Sequence, residues 1–349
     1  MGGRIELILK VTQRCNFACE FCSSTEIAES DSQTLPHDYI FKFLKRFPNT
    51  SSLIINGGDG LLVPVEYYWK LIKHLDDNNY PANISFTTNL WDFYLHPDKW
   101  TNLFKHPRIG VGTSFQYGTK RKITKKLVYT ENIFLKVINL FKTRIGYTPE
   151  FIAVIDEENE DTVIKTVELA KSLGVVCKIN YAMASGRQEN NYQLSKMYYK
   201  YLEIYKKGLA PWEFNTQQMF KSHNNGHTLC PLSRDCDSHI RALNPDGTYF
   251  SCGSFADDKK FAIEFEKEMS GEMAHPLSTN SELVSLKTEC LICPMFKICN
   301  GCRKSMYDLI KAKKVEEHCT RMKEIAITLI PLLEIRNAED NNTFAPSYT

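Results

Sequence analysis

Short apolar runs alternate with longer amphipathic segments along the first half of the chain. The short runs are rich in β-branched and aromatic residues and are bounded by polar or turn-forming positions, a pattern typical of buried strands. They predict six strands, which are Ile5–Val11, Ser52–Asn56, Asn83–Thr88, Arg108–Ser114, Phe151–Ile155 and Val175–Tyr181.

Between these runs lie segments whose apolar residues recur at helical spacing. In one of them, Phe134, Val137 and Leu140–Phe141 fall on one helical face. The pattern predicts helices at Pro36–Arg46, Val65–Asp77, Asp98–Lys105, Glu131–Lys142 and Asn159–Leu173. Six β-α units in succession imply an α/β fold with a parallel sheet, either doubly wound or curved into a barrel, and periodicity does not choose between them.

The pattern changes near residue 187. Asn190–Lys207 is polar and tyrosine-rich, and it predicts a helix that is followed by a loop-like stretch. From Cys230 to Cys319 the predicted elements are shorter and cysteines are frequent. Ile325–Ile335 is apolar and predicts a docking helix, whereas the residues from Asn337 onward predict a mobile tail. We therefore expect domains at 1–187 and 229–325, a helical linker at 188–228, and a helix end with a tail at 326–349.

The composition is that of an ordinary globular protein. Hydrophobic residues make up 43% of the 349 positions and charged residues 24%, and the formal net charge is +2. This charge argues neither for nor against a nucleic-acid or membrane partner, and we expect neither. No apolar stretch approaches the roughly 18–20 residues of a membrane span. Twelve cysteines without a signal-peptide pattern indicate metal ligands in a reducing compartment, so we expect a cytoplasmic protein.

Two charged segments interrupt the first half of the chain. The basic segment Lys120–Lys126 predicts a solvated loop, with attraction of an acidic substrate as the alternative. The acidic segment Asp156–Asp161 opens a predicted helix, where carboxylates are stabilised by the helix dipole.

Three cysteines follow the first strand at the spacing C-x3-C-x2-C, namely Cys15, Cys19 and Cys22. Thiolates on one short loop can converge on a metal centre, and they suit iron–sulfur clusters or zinc. Both kinds of centre normally take four ligands. Three ligands therefore leave one metal position open for chemistry, unless a zinc ion takes its fourth ligand from elsewhere in the chain.

This loop, with Phe21 just before its last cysteine, resembles the signature of the radical S-adenosylmethionine (SAM, AdoMet) superfamily. The resemblance implies that Cys15, Cys19 and Cys22 hold a [4Fe–4S] cluster whose open iron binds SAM. It also implies a partial (β/α)6 barrel, followed here by a small cysteine-rich iron–sulfur domain. In such barrels the chemistry takes place at the carboxyl ends of the strands, where the cysteine loop lies.

Polar residues at the ends of later strands extend the resemblance. Gly57-Gly58-Asp59 is similar to the family's Gly-Gly-Glu motif, which binds the amino group of SAM. Thr88-Asn89 is similar to the start of its Thr-Asn-Gly motif, although Leu90 departs from it. Ser114 is similar to a serine that meets the ribose or methionine portion, with a plain strand-end hydroxyl as the alternative. Ala184–Arg187 looks like a Gly-Arg turn that would bring backbone near Met183 to adenine. The implied SAM contacts are Phe21, Gly57, Gly58, Asp59, Thr88, Asn89, Ser114 and Met183.

Eight cysteines in the second half have the spacing Cys230-x5-Cys236-x15-Cys252, then Cys290-x2-Cys293-x5-Cys299-x2-Cys302-x16-Cys319. Eight thiolates suffice for two four-ligand centres, of iron–sulfur or zinc type. Their order resembles the SPASM domain of radical SAM enzymes that mature peptides and proteins, although the family usually has x3 in the gap before Cys302. The resemblance implies two auxiliary [4Fe–4S] clusters, one on Cys230, Cys236, Cys252 and Cys302, the other on Cys290, Cys293, Cys299 and Cys319. The remaining cysteine, Cys177, is predicted to be a core residue.

We therefore predict a radical SAM oxidoreductase with three [4Fe–4S] clusters that abstracts hydrogen from a ribosomally made peptide for oxidative modification or crosslinking. Sulfatase maturation is disfavoured, because Gly253 stands where enzymes of that type carry an aspartate. Because the chain starts directly at the first strand, we expect leader recognition to need a separate protein or a different surface. A flavodoxin or ferredoxin would supply electrons.

Two alternatives stay open. One is radical SAM chemistry on a small molecule, and the other is a non-enzymatic iron–sulfur carrier or zinc scaffold. Gly57–Asp59 and the predicted barrel disfavour a carrier, which needs neither. No catalytic residue beyond the cysteines is assigned, and a structural role is expected for the candidates named only by position, which are Gln116, Tyr117, His239 and Asp257.

Overall fold

The computed structural model describes residues 5–22, 33–185, 188, 192–225, 239–272, 292–295, 298–299 and 302–340. The chain divides into two compact units, which are Met1–Tyr192 with Asp235–Ser278, and Gln193–Arg234 with Thr279–Thr349. This grouping differs from the predicted division at residue 187, because residues 235–278 fold with the first unit.

The first unit is built on one eight-stranded sheet with the strand order β10-β9-β1-β2-β3-β4-β7-β8. Its six consecutive strands from β1 to β8 pair in parallel. They confirm the six predicted strands within two residues at each end. The strands are β1 (Glu6–Thr12), β2 (Ser52–Gly57), β3 (Asn83–Thr87), β4 (Ile109–Ser114), β5 (Lys122–Thr124), β6 (Leu127–Val128), β7 (Phe151–Ile155), β8 (Cys177–Tyr181), β9 (Ile240–Leu243) and β10 (Tyr249–Phe250).

Helices connect the parallel strands, and each of the five predicted in the first half is present. The last of these five begins later than expected, because Glu160–Thr162 forms a 3-10 turn before it. The helices are α1 (His37–Arg46), α2 (Val65–Asp77), α3 (Trp91–Leu95), α4 (Pro97–Phe104), α5 (Glu131–Ile145), α6 (Val163–Leu173), α7 (Leu194–Lys206), α8 (Phe214–Asn225), α9 (Gly253–Asp258), α10 (Phe265–Ser270), α11 (Arg303–Lys311) and α12 (Val315–Asp340).

Side chains alternate along β3, β4, β7 and β8 between a buried face and a partly exposed one. On β8, Cys177, Ile179 and Tyr181 are buried, while Lys178 and Asn180 between them are half-buried. Cys177 is therefore a core residue, as predicted. The same alternation on β3 and β4 leaves small residues such as Ser85 and Gly110 on the open face. One face of these strands thus carries the hydrophobic core, and the other is partly exposed.

Strands β9 and β10 extend the sheet beyond β1, and the sequence pattern did not predict them. Strand β9 pairs in parallel with β1, and β10 pairs antiparallel with β9. Between them Gly247 has a φ of +79°, and a Cβ there would lie 2.4 Å from the ring of Tyr39. A buried ion pair between Arg241 and Glu268, with a closest N–O distance of 2.6 Å, ties β9 to α10.

Contacts of α9 show that the sheet is strongly curved. Lys10 of β1 pairs with Asp257 of α9, and Ser185, just after β8, donates to the neighbouring Asp258 at 2.8 Å. In a flat sheet β1 and β8, five strand spacings apart, would lie about 24 Å from each other. Two adjacent aspartates cannot bridge that distance. The parallel strands therefore form a partial barrel, as predicted, and α9 spans the opening between its first and last strands.

The second unit is helical in the residues that the structure describes. Helix α7 packs against α8 and α12, and the Arg321 guanidinium of α12 donates to Gln193 at 3.0 Å. Helix α12 contains Pro331 and runs to Asp340, so the tail predicted from Asn337 begins inside a helix. Among the described residues, no helix combines the length and the hydropathy needed to cross a bilayer.

Candidate active site

The cysteine loop follows β1 directly, at the carboxyl end of the parallel sheet. Cys15 and Cys22 are half-buried and Cys19 is buried. Burial raises the pKa of the Cys15 thiol well above its usual value, and the Asp59 carboxylate raises it further. Within the described residues, no three His, Cys, Asp or Glu side chains converge closely enough to hold a single metal ion.

A hairpin formed by β5 and β6 holds this loop by its backbone. The amide of Ala18 donates to the Lys122 carbonyl at 2.8 Å, and that of Glu20 to the Lys120 carbonyl at 3.0 Å. The Lys122 ammonium also pairs with the Glu20 carboxylate. The prediction of a solvated loop at 120–126 is therefore wrong for its first three residues, which form one wall of the cysteine loop.

The acidic segment after β7 also differs from its prediction. Asp156 is buried and accepts the Lys120 ammonium at 2.7 Å, and helix α6 starts only at Val163. The Asp156 carboxylate therefore stabilises the hairpin through Lys120, and it does not act through the dipole of helix α6.

Arg121 is a buried cation beside the cysteines that sequence reasoning did not single out. It is 6% exposed, its Nε and Nη2 donate to Gln116 Oε1 at 2.9 and 2.6 Å, and its Nη1 donates to Ser114 Oγ at 2.8 Å. The guanidinium lies 5.2 Å from the ring centre of Phe21. Burial raises the pKa of the Cys19 thiol, and the Arg121 charge opposes that rise. The sequence offered one signal for Arg121, which is its position seven residues after Ser114, a predicted site residue.

The glycines after β2 pack against the backbone of the cysteine loop. The Gly58 amide donates to the Thr12 carbonyl at 2.9 Å, and the Asp59 amide donates to the Arg14 carbonyl at 2.7 Å. A Cβ on Gly58 would lie 1.9 Å from the Arg14 carbonyl oxygen. Gly57 has a φ of +109°, and a Cβ there would lie 2.6 Å from the Thr12 carbonyl oxygen. Both glycines therefore permit close approach of two backbone segments.

The Asp59 side chain is buried and binds the end of β3. Its carboxylate accepts from the Leu61 amide, the Asn89 amide and the Thr88 hydroxyl, each with a closest distance of 2.9 Å. Burial raises the pKa of this carboxyl, and the three hydrogen bonds oppose the rise. The Asn89 amide group in turn donates to Asn16 Oδ1 at 2.6 Å and approaches Cys15 Sγ at 3.9 Å. Three predicted motifs are therefore brought together.

Leu90 stands where this chain departs from the Thr-Asn-Gly pattern, and its backbone conformation is one that glycine adopts easily. Its φ of 59° and ψ of 13° are left-handed values that favour glycine, and its side chain is fully buried.

Met183 lies just after β8, and its sulfur accepts the Ser254 hydroxyl of α9 at 3.5 Å. Gly186 and Arg187 of the predicted turn lie outside the described residues. Asp257 pairs with Lys10 and Gln116 accepts Arg121, while Lys165 lies 3.9 Å from the ring centre of Tyr117. His239 adjoins the start of β9. These contacts are consistent with the structural roles expected for Gln116, Tyr117 and Asp257.

The later cysteines are described only in part, since Cys230, Cys236 and Cys290 lie outside the described residues. Cys252 is buried and immediately precedes α9 in the first unit. In the second unit Cys302 is buried and immediately precedes α11, and Cys299 Sγ lies 3.8 Å from His318 Nε2. The assignment of these cysteines to two clusters stays a prediction.

Comparison with known proteins shows what this chain is similar to. A family model described as the radical SAM superfamily matches residues 9–170. These residues are therefore similar to a radical SAM domain. Members of this superfamily are enzymes that use a 4Fe–4S cluster and AdoMet. The match covers the cysteine loop, the Gly57–Asp59 segment, Thr88-Asn89 and Ser114.

One curated relative is a GTP 3',8-cyclase of Staphylococcus carnosus (strain TM300), which is 26% identical over 203 residues. The alignment covers 56% of this chain and 50% of the relative, so the chain spans about half the length of the protein it matches.

Two solved structures share the fold. Native anSMEcpe with bound AdoMet and Cp18Cys peptide has a TM-score of 0.69 at 17% identity, covering 98% of this chain and 100% of that one. Streptococcus suis SuiB bound to precursor peptide SuiA has a TM-score of 0.58 at 16% identity, covering 86% and 72%. At such identities the likeness establishes the fold alone.

Proposed function

We propose that this protein is a radical SAM enzyme that oxidatively modifies or crosslinks a ribosomally made peptide. The observation that carries the proposal is the packing of the cysteine loop against both the Gly57–Asp59 segment and the buried Arg121. A simple electron carrier would need neither. When bound, the cluster and AdoMet would supply a 5′-deoxyadenosyl radical that removes a hydrogen atom from the substrate.

The cysteine loop fits a thiolate-bound cluster. Cys15, Cys19 and Cys22 would be its ligands, and the donor set of three soft thiolates leaves one metal position for AdoMet. Ligation requires deprotonated thiols. The Arg121 guanidinium favours that form at Cys19, and the hairpin hydrogen bonds to Ala18 and Glu20 hold the loop in place.

Two groups at the site have hydrogen-bonding capacity left for AdoMet. A carboxylate has about four acceptor positions, and Asp59 uses three of them on Leu61, Thr88 and Asn89. The remaining position suits an ammonium N–H. A guanidinium has five N–H groups, and Arg121 uses three of them on Gln116 and Ser114. The other two suit the AdoMet carboxylate.

The roles of the remaining predicted AdoMet-contact residues are inferred from their positions in the fold. Phe21 would pack beside the cluster, and Thr88, Asn89 and Ser114 would hold the shape of the pocket. Backbone near Met183 would approach adenine. Gly57 and Gly58 act indirectly, since they let the β2 end and the cysteine loop meet.

A peptide is the substrate that we favour, because anSMEcpe and SuiB, which share this fold along most of the chain, were each crystallised with a peptide. Two auxiliary [4Fe–4S] clusters on the eight later cysteines would accept the electron left after oxidation. The proposal also includes a flavodoxin- or ferredoxin-type electron donor, a separate leader-binding protein and a cytoplasmic location. It includes no nucleic-acid or membrane partner.

A small-molecule substrate is the second candidate. The sequence relative named GTP 3',8-cyclase favours it, since that alignment includes 203 residues at 26% identity.

The test is an anaerobic assay for 5′-deoxyadenosine with dithionite and AdoMet, together with iron analysis. We expect about twelve irons per chain for three clusters and AdoMet cleavage, with further stimulation by peptide mixtures. The Cys15→Ala/Cys19→Ala/Cys22→Ala variant should lose cleavage and about a third of the iron. Zinc in place of iron, or iron without cleavage, would overturn the proposal, and stimulation by GTP but by no peptide would transfer support to the small-molecule candidate.

A further inference from the structure

His318 is a buried imidazole placed between two predicted auxiliary-cluster cysteines. It precedes Cys319 in α12 and is 2% exposed. Its Nε2 lies 3.8 Å from Cys299 Sγ. Its Nδ1 has no hydrogen-bond partner within the described residues. Nothing in the cysteine pattern accounts for an imidazole at this place.

The segment that carries Cys299 is itself held firmly. The Cys299 amide donates to the Met295 carbonyl at 2.7 Å, and the Tyr198 hydroxyl of α7 donates to the Ile298 carbonyl at 3.3 Å. Met295 and Ile298 are fully buried. The contact between His318 and Cys299 therefore joins two fixed backbone segments.

The hydrogen-bonding of the ring decides what His318 can do there. A neutral imidazole carries one N–H and one bare nitrogen. A buried N–H without a partner is rarer than an unsatisfied acceptor, so the proton belongs on Nε2, where it faces the Cys299 sulfur. An imidazole that ligates a metal almost always donates its other N–H to a carboxylate, carbonyl or water. Nδ1 of His318 has no such acceptor among the described residues, which argues against ligation through Nε2.

We propose that His318 is a positioning residue of the auxiliary centre on Cys299 and Cys319, where it donates its Nε2–H to the Cys299 thiolate. This inference rests on the proposed function only in that the later cysteines bind a cluster. Hydrogen bonds to ligand sulfurs stabilise the more negative, reduced state and so raise the reduction potential. His318 thus makes this cluster a better electron acceptor.

The experiment is an EPR-monitored redox titration of the full chain after anaerobic reconstitution, with iron analysis of each variant. His318→Phe keeps a planar ring but removes the donor, and His318→Gln can place an amide N–H near the same point. We expect His318→Phe to keep its iron and to shift one auxiliary midpoint potential in the negative direction. His318→Gln should lie between His318→Phe and the parent protein.

Three results would overturn the inference. An unchanged midpoint in His318→Phe would exclude the hydrogen bond, and an equal shift in both variants would indicate a packing effect. Loss of about four irons per chain in both variants would make His318 a ligand. If the parent protein holds no auxiliary iron, this inference and the auxiliary clusters fail together, whereas 5′-deoxyadenosine formation still tests the radical SAM activity separately.

Discussion

Replacing Gly58 by alanine tests whether the two backbone segments at the site must meet. The added Cβ would lie 1.9 Å from the Arg14 carbonyl oxygen, which is backbone and cannot rotate away. Relief requires separation of the β2 end from the cysteine loop. That separation breaks the hydrogen bonds from the Gly58 and Asp59 amides, at 2.9 and 2.7 Å.

The cost of Gly58→Ala can be estimated from these contacts. Overpacking typically costs about 1–3 kcal/mol, and two lost hydrogen bonds cost about 1 kcal/mol each. We expect the free energy of unfolding to fall by about 3–5 kcal/mol. The cysteine loop should also bind its cluster poorly, because its backbone is no longer held beside Asp59.

Gly110→Ala is the matched control. Gly110 lies in β4, which is separated from β2 by β3 in the sheet, and among the described residues a Cβ there would meet only Ser85 Oγ, at 3.8 Å. Alanine is favoured over glycine in a strand by roughly 0.5–1 kcal/mol, so this variant should be as stable as the parent or more so. Denaturant unfolding and iron per chain, measured anaerobically, compare the two. Equal stability and iron content in both variants would refute the close-approach role of Gly58.

Two further predictions concern the first unit. Asp257→Asn should lower the free energy of unfolding by about 3–5 kcal/mol, because it leaves the buried Lys10 ammonium without its partner. Lys10→Met should cost less, because the Asp257 carboxylate that it leaves is partly exposed. In denaturant titrations Lys10→Met/Asp257→Asn should cost less than the sum of the two single changes, and additivity would contradict the pairing. Burial lowers the pKa of His37. The unfolded chain then binds more protons below about pH 6.5, so stability falls as the pH drops through that value. NMR titration should give a lowered pKa, and His37→Gln should lose this part of the pH dependence.

The parallel strands and most of the helices could be predicted because each carries its own local signal. Strands such as β7 and β8 alternate buried and half-buried residues, and α2 has a single buried face. The site motifs could also be placed, since strands in a parallel sheet end at one edge. Local pattern and tertiary structure agree at these positions.

Other features depend on partners far away in the chain and leave no local pattern. The segment at 120–122 is basic, and such a composition is typical of a surface loop. Arg121 is nevertheless buried, because Gln116 and Ser114 accept its N–H groups. Strand β9 is only four residues long, and its partner β1 lies more than two hundred positions earlier. Asp59 was predicted as a ligand-binding carboxylate, but no local pattern indicated that Leu61, Thr88 and Asn89 donate to it.

The hairpin at β5 and β6 has a consequence for biosynthesis. The cysteine loop emerges from the ribosome early, but the partners of Ala18 and Glu20 lie at Lys122 and Lys120. At translation rates of about 5–20 residues per second, those partners follow roughly 5–20 seconds later. Until then, the segment with the three thiols lacks its hydrogen bonds to the hairpin, and the thiols are exposed to oxidation or to binding of the wrong metal. Insertion of the proposed cluster at this loop would therefore be a late event in the life of the nascent chain, and exposure to oxygen during synthesis would threaten the loop more than it threatens the folded protein.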